Sequence, residues 1–262
     1  MRRTVRLGWL FFRIGSMNEL QYRANFFIQL LQSAVSVGTA LVVLKVVYSQ
    51  TDSLNGWNES ELLVVLGIQI LLGGVIRTLI QPNMQRMMEE VRDGKLDFAL
   101  TKPEDSQLLV SIRDVQIWRS VDVISGAGVL LYGLAGLDRA VSFGDVLLFL
   151  GMLGVGTITI YCFWLVIATL AFWIVNVWSI VELFDGLYQT GRWPVSIYPV
   201  WLRLGVTFLI PIAFAITVPA EAITSRLEWG TIALAVGFSA AIFAFTRWWW
   251  GFGLRRYSGA SA

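Results

Sequence analysis

The sequence predicts an all-α polytopic membrane protein: six transmembrane helices, an amphipathic interfacial helix at the N-terminus, and a cytoplasmic helical segment between the second and third spans. Three observations lead there. Hydrophobic residues make up 56% of the 262-residue chain and charged residues 15%, and a mean hydropathy of +0.66 lies outside the range of soluble domains. The apolar residues gather in runs of roughly 20, the length of helix that crosses about 30 Å of hydrocarbon. Lysine and arginine crowd into alternate connections between those runs.

At the N-terminus, residues 1–23, Val5, Leu7, Leu10, Phe11, Ile14 and Met17 recur at mostly helical spacing with Arg6 and Arg13 between them. A helix of this pattern lies along a membrane surface. The competing reading is an ordinary lead into the first span. Arg13 interrupts the apolar part and no small-residue cleavage site follows, which argues against a signal peptide.

Hydropathy marks six spans, at about 24–48, 62–82, 115–137, 146–170, 200–218 and 230–250. An even number puts both termini on one side. Arg2, Arg3, Arg6, Arg13 and Arg23 precede the first span, Arg86, Arg92, Lys95, Lys102 and Arg113 lie between the second and third, and Arg255 and Arg256 follow the sixth. Residues 49–61 hold no lysine or arginine, and the other two connections on that side offer only Arg139 and Arg226. Positive residues near short loops are retained inside, so both termini are expected in the cytoplasm, with the chain in the cytoplasmic (inner) membrane.

Residues 146–200 fit this layout least well. The apolar run Val146 to Val175 would extend about 45 Å as one helix, longer than a bilayer core. A tilted span projecting beyond the membrane accommodates it. Glu182, Asp185 and the stretch GRWPVSIYPVWLR then form a connection on the cytoplasmic side, broken by Pro194 and Pro199. A seventh span here would reverse everything after it. Trp173, Trp178, Trp193, Trp201, Trp229 and Trp248 to Trp250 fall near span ends, as interfacial aromatic belts do.

The polar interruption at residues 83–103 is organised. Met84, Met87, Met88 and Val91 share one helix face, with Arg86, Glu89, Glu90 and Arg92 on the rest of it. Gly94 can end that helix in the left-handed conformation. The following KLDFAL alternates at Leu96, Phe98 and Leu100, which predicts an extended link. In TKPE the Thr101 hydroxyl and Glu104 form a capping pattern around Pro103, so a second helix should begin there. A plain solvated loop is the alternative.

Several chemistries are excluded or weakened. A net charge of +2 argues against a general nucleic-acid surface. With no histidine and only Cys162, neither a Cys/His metal site nor an intrachain disulfide is possible. No phosphate-binding Gly-x-x-x-x-Gly-Lys-Ser/Thr loop occurs; RDGKLD supplies only a Gly-Lys pair. Among polar residues within spans, Gln29, Gln32 and Gln69 are candidates for a substrate path, although amides also bond between helices for structural reasons. Arg119 and Asp122, three apart, are positioned to pair on one helix face. Lys45 and Arg77 are close enough to span ends to snorkel.

Two stretches resemble a known family. GKLDFALTKP, through Gly94, Leu96, Asp97, Leu100, Lys102 and Pro103, and YPVWLRLGVTFLIPIAFAITVPAEAI, through Tyr198, Pro199, Pro211, Phe214, Pro219 and Ala220, are similar to permease subunits of ABC-2-type exporters. The resemblance covers nearly the whole chain. It implies that residues 83–103 form a coupling helix docking on two copies of a separate ATPase subunit, through Met84, Met87, Met88, Glu89, Glu90, Val91, Arg92, Asp93, Gly94, Lys95, Leu96, Asp97, Lys102 and Pro103. It implies no cofactor in this chain, ATP and magnesium being bound by that partner, and a second permease, identical or related, completing the path. Pro211, Pro219 and Glu221 would belong to a re-entrant outer gate; an ordinary short loop after a kinked span is the other reading. Small drugs, lipids and glycans are all cargo of such exporters. Outside the family, a membrane-embedded enzyme acting on lipid-linked substrates would rest on Glu182 and Asp185, and a non-transporting scaffold on the bundle alone.

Overall fold

The computed structural model describes residues 23–102, 105–174 and 178–257. The interfacial helix expected over 1–23 therefore lies, but for its last residue, outside the described part, as do Pro103 and Glu104. Among the described residues the architecture is all-α, without a β-strand.

The first crossing is α1 (Arg23–Tyr48). After a tight turn at Asn55 and Gly56, both at positive φ, comes α2 (Glu59–Val75). Asn58 caps it: its side chain accepts from the Glu61 amide while the Glu61 carboxylate accepts from the Asn58 amide. A π-turn (Ile76–Ile80) joins α2 to α3 (Gln81–Arg92) without a break. Next come the short helices α4 (Asp97–Leu100) and α5 (Ser106–Val110), then α6 (Ser120–Ala135), entered through a 3-10 turn at Ile117–Arg119. α7 (Phe143–Thr169) begins with a second capping box, Ser142 with Asp145. The remaining helices are α8 (Trp178–Tyr188), α9 (Val200–Leu204), α10 (Val218–Ile223) and α11 (Trp229–Leu254).

Among the described residues, five helical segments are each long and apolar enough to span a bilayer: Asn25–Tyr48, Glu59–Arg92, Ile117–Ala135, Phe143–Phe172 and Trp229–Leu254. The tightest pair is α2 against α6, and glycine makes it so. Gly67 and Gly74 on α2 lie seven residues apart, as do Gly126 and Gly133 on α6. A Cβ on Gly74 would sit 2.6 Å from the Val123 amide nitrogen, and one on Gly133 2.8 Å from that of Val64. Gly67 meets Leu130 and Gly126 meets Leu71 in the same antiparallel register. Backbones this close gain the van der Waals contact that holds helices together in lipid, where no hydrophobic force separates protein from solvent.

The bundle has two distinct ends. α3, α4 and α5 occupy a basic end with Arg86, Arg92, Lys95, Lys102, Arg113, Arg255 and Arg256. The first turns of α1 are there too, because Phe26 packs on Trp118, and so is the end of α11, because Tyr257 packs on Phe172 and Trp250 donates to the Ser106 hydroxyl at 3.2 Å. The opposite end is tied by Arg226. Its Nε and Nη2 donate to both Glu61 carboxylate oxygens at 2.8 and 2.7 Å, Nη2 also donates to the Gly56 carbonyl, and the guanidinium lies 4.9 Å over the Trp57 ring.

The course after α7 differs from the sequence expectation. Residues 178–197 are not a connection at the basic end; they cross the bundle. Phe184 on α8 packs on Trp164 near the basic end of α7, and the Tyr188 hydroxyl donates to the Gln69 carbonyl in the middle of α2. Ser196 then reaches the opposite end, where its carbonyl accepts from Asn55 at 2.8 Å and its hydroxyl from Trp57 at 3.3 Å. In turn, 200–218 is not a through span. Val200–Leu209 and Ala213–Ile223 form a pair bent by 81°, and both its ends lie at the opposite end of the bundle: Pro199 follows Ser196, and the Ile223 carbonyl accepts from the Arg139 guanidinium at 2.6 Å. Phe214 at the bend stacks on Phe238, nine residues and so about 13 Å into α11. The chain dips into the bundle and returns, as a re-entrant hairpin. The Val146–Val175 run resolves as α7 plus the Leu170–Phe172 turn, a 30-residue segment in all.

Candidate functional site

The basic end is built from α3 outward. Asn83, 1% exposed, clasps it to the chain entering α6: its Nδ2 donates to the Leu79 and Asp114 carbonyls, both at 2.7 Å, and its Oδ1 accepts from the Arg113 and Asp114 amides, both at 2.8 Å. Every polar atom of this buried amide is used, which fixes one geometry. Glu90 adds a second tie, accepting from Arg86 at 3.1 Å and from Arg113 at 2.5 Å.

The methionine face is covered by the chain itself. Met84, Met87 and Met88 are 0%, 0% and 5% exposed, because α3 packs on α7, on the Leu170–Phe172 turn and on α5. The three methionines through which docking was expected are therefore covered within this chain, and Glu90, turned toward Arg113, is not a free charge. What faces outward is Arg86, Glu89, Arg92, Asp93, Lys95, Phe98 and Lys102.

Gly94 ends α3 at φ +69°, with the Lys95 amide returning to the Glu90 carbonyl at 2.8 Å and the Gly94 amide to Val91 at 3.3 Å. Beyond it, KLDFAL is helical rather than extended. Leu96 and Ala99 are buried, at 0% and 1% exposure, while Phe98 is 77% exposed, so apolar burial follows the helical and not the strand period. The next helix also begins later than the capping pattern indicates. Asp105 caps α5, accepting from the Leu108 amide at 3.1 Å, and Thr101 instead ends α4.

Two carboxylates here have shifted titrations. The Lys95 ammonium and Arg92 guanidinium beside Asp93, at 3.1 and 3.3 Å, hold its carboxyl below the usual range. Arg247 of α11 does the same to Asp105 with a two-pronged contact at 3.2 and 2.8 Å, against a smaller opposing effect of burial. Arg247 also donates to Gln107 at 2.9 Å, so the last span grips the start of α5.

The expected path residues are not gathered. Gln32 is exposed on α1, Gln29 lines a hollow with Gln116 and Arg119, and Gln69 is buried in a different place. That place is a cavity of about 40 Å³ among α1, α2, α6 and the end of α8, where Gln69 meets Ser36, Arg77, Asp122, Tyr188 and Arg192. Arg77 does not snorkel and Arg119 does not pair with Asp122. Arg77 donates to Asp122 at 3.4 Å, while Arg119 donates to Gln116 at 2.7 Å. Arg77 lies three residues beyond Gly74, on the side of the rod that packs on Asp122 and Val123 of α6. Lys45 is exposed one turn from the end of α1, as a snorkelling residue is.

Pro211 sits at the hairpin bend, after Ile210 in extended conformation at φ −124°, ψ 94°. Pro219 lies within the continuous helical leg Ala213–Ile223, directly after its π-turn at Ala213–Thr217. Glu221 is half-buried on α10 close to the opposite end. Asn83, Arg113, Phe98 and Arg192 are contributors that sequence reading missed; a lone polar residue after Pro82 on an otherwise methionine-lined face was the available signal for Asn83. No group of three or more metal-ligating side chains occurs among the described residues.

A family described as ABC-2 family transporter protein matches residues 34–261. No curated protein and no solved structure matches the chain. The match runs from α1 to beyond α11 and covers the all-helical membrane bundle with its hairpin, and the chain belongs to the ABC-2 transporter family as a multi-pass transport permease.

Proposed function

We propose that this permease is the membrane subunit of an ATP-driven exporter, pairing with a second permease and coupled at its basic end to two copies of a separate ATPase subunit that binds ATP and magnesium. The observation carrying the reading is the continuous segment Glu59–Arg92, 34 residues long, which measures about 51 Å at 1.5 Å per residue and so projects well beyond a bilayer core of about 30 Å. It ends in an exposed aromatic and charged tip, Phe98 with Arg92, Asp93, Lys95 and Lys102. A rod with a buried, hydrogen-bonded root moves as one piece. Displacement of its tip is carried to α2 and, through the glycine seam, to α6.

The chain has no phosphate loop of its own, so the energy source is external. The concentration of arginine and lysine at the tip's end favours a cytoplasmic location for it, and hence cytoplasmic termini. An exposed aromatic ringed by charges has the make-up of an interface anchor, the ring supplying affinity and the charges register. ATP-driven closure of the ATPase pair would then rock the two permeases between inward and outward openings, with the hairpin containing Pro211, Pro219 and Glu221 beside the exit.

The test is co-purification from detergent with the cognate ATPase, read by attachment and by stimulated ATP turnover. Phe98→Asp is expected to weaken attachment at least tenfold, and charge reversal at Lys95 or Asp97 to weaken it less, with membrane insertion unchanged. Normal attachment in all three variants would place the docking surface elsewhere, and absence of any ATPase partner would overturn the reading.

A further inference from the structure

The cavity among α1, α2, α6 and the α8 crossing holds more positive charge than the chain answers. Arg77 has Asp122, whose side chain is 8% exposed. Arg192 has no such partner: its Nε is fully buried without a hydrogen bond, and among the described residues its side chain has neither an ion pair nor a hydrogen bond. Two guanidiniums face one carboxylate.

The site is deep. Gly191, next to Arg192, packs on Gln69, which is 10 residues along α2 from its start at Glu59 and so about 15 Å from the opposite end at 1.5 Å per residue. A lone cation at such depth is expensive, and arginine cannot relieve it by losing a proton. A lysine there could neutralise; a guanidinium needs an anion. Its planar fork matches the paired oxygens of carboxylate and phosphate. Gln69, Ser36 and Tyr188 add neutral polar groups at the same wall. The volume, about 40 Å³, admits an ionic head of a few heavy atoms, since one water needs roughly 10–15 Å³ measured this way. A whole lipid or drug does not fit, so the rest of a bound molecule must lie outside the cavity.

We propose that this cavity receives an oxyanion group, carboxylate or phosphate, of the molecule being moved, with Arg192 as its main ligand and Arg77 shared between that group and Asp122. That the bound molecule is cargo rests on the permease reading; that an oxyanion binds does not.

The test uses the full chain in phosphatidylcholine nanodiscs without nucleotide, titrated calorimetrically with dihexanoyl phosphatidic acid, hexanoate and inorganic phosphate. The wild type should bind at least one of these, R192Q at least tenfold more weakly, and R192K between the two, because it keeps the charge and gives up the fork. R192K carries the comparison if R192Q fails to fold. Binding of the acyl compounds alone assigns a lipid or fatty-acid source, and binding of inorganic phosphate as well assigns free oxyanions. No binding by the wild type, or equal binding by wild type, R192K and R192Q, overturns the proposal. ATPase attachment is read separately on the same proteins: no oxyanion binding by the wild type with attachment intact rejects the oxyanion site alone, and attachment absent with binding intact rejects only the coupling reading.

Discussion

Asn83 is the residue on which the basic end turns. Its side chain satisfies two carbonyls and two amides that no other side chain reaches, so Asn83→Ala strands buried backbone groups at α3 and at residues 113–114. Thermal unfolding in detergent should show a loss of about 3 kcal/mol, given roughly 1–3 for each group left unpaired. Asp105 supplies a second expectation. Its carboxyl is held below the ordinary range by Arg247, so the contact stabilises the fold above the unfolded pKa, near 4, and that contribution fades as pH falls through the lower folded value. The difference in melting temperature between wild type and Asp105→Asn should be constant from pH 7 to 5 and shrink below pH 4. Neither Asn83 nor Phe98 was legible from sequence. Polarity and apolarity say how a residue partitions, whereas the side a side chain faces depends on where α7 and α5 lie, and those are contacts distant in the chain.

At the scale of elements, the glycine seam invites a direct perturbation. Any Cβ on Gly126 overlaps the α2 backbone at Leu71, so Gly126→Val must push the helices apart and should cost about 3 kcal/mol. Gly128, on the same helix, has open space around it, and Gly128→Val serves as the control with little effect in the same melting assay. The long spans were readable because apolar runs of sufficient length have one use in lipid. The fifth crossing was not. Residues 178–197 carry Glu182, Asp185, Arg192 and Pro194, which depress their hydropathy, while the more apolar 200–218 is consumed by the hairpin. One face of the former is covered by protein, Val181, Phe184 and Tyr188 being 4%, 2% and 2% exposed, and irregular backbone within a membrane is tolerated where protein covers it. Hydropathy measures preference for lipid and does not register a crossing held by one buried face.

For the whole molecule, the exchange of these two segments leaves the number of crossings even, so the side assigned to each terminus survives an error in the fifth span. Labelling tests it. In an otherwise unchanged chain, whose Cys162 is 0% exposed, Ser196→Cys and Ser225→Cys should react with an impermeant maleimide from one face of a sealed vesicle and Phe98→Cys only from the other. Reaction of Ser196→Cys from the same face as Phe98→Cys would restore 200–218 as a through span.

The π-turn at Ile76–Ile80 joins the two ends of this picture. A π-turn accommodates one residue more than an α-turn, and rewinding it to α would advance the register by one, turning everything beyond it by about 100° around the helix axis. Arg77 is the second residue of that turn and one wall of the charged cavity. The exposed tip and the guanidinium facing Asp122 are therefore joined through the same five residues, so a change of pitch at this turn would reorient both together.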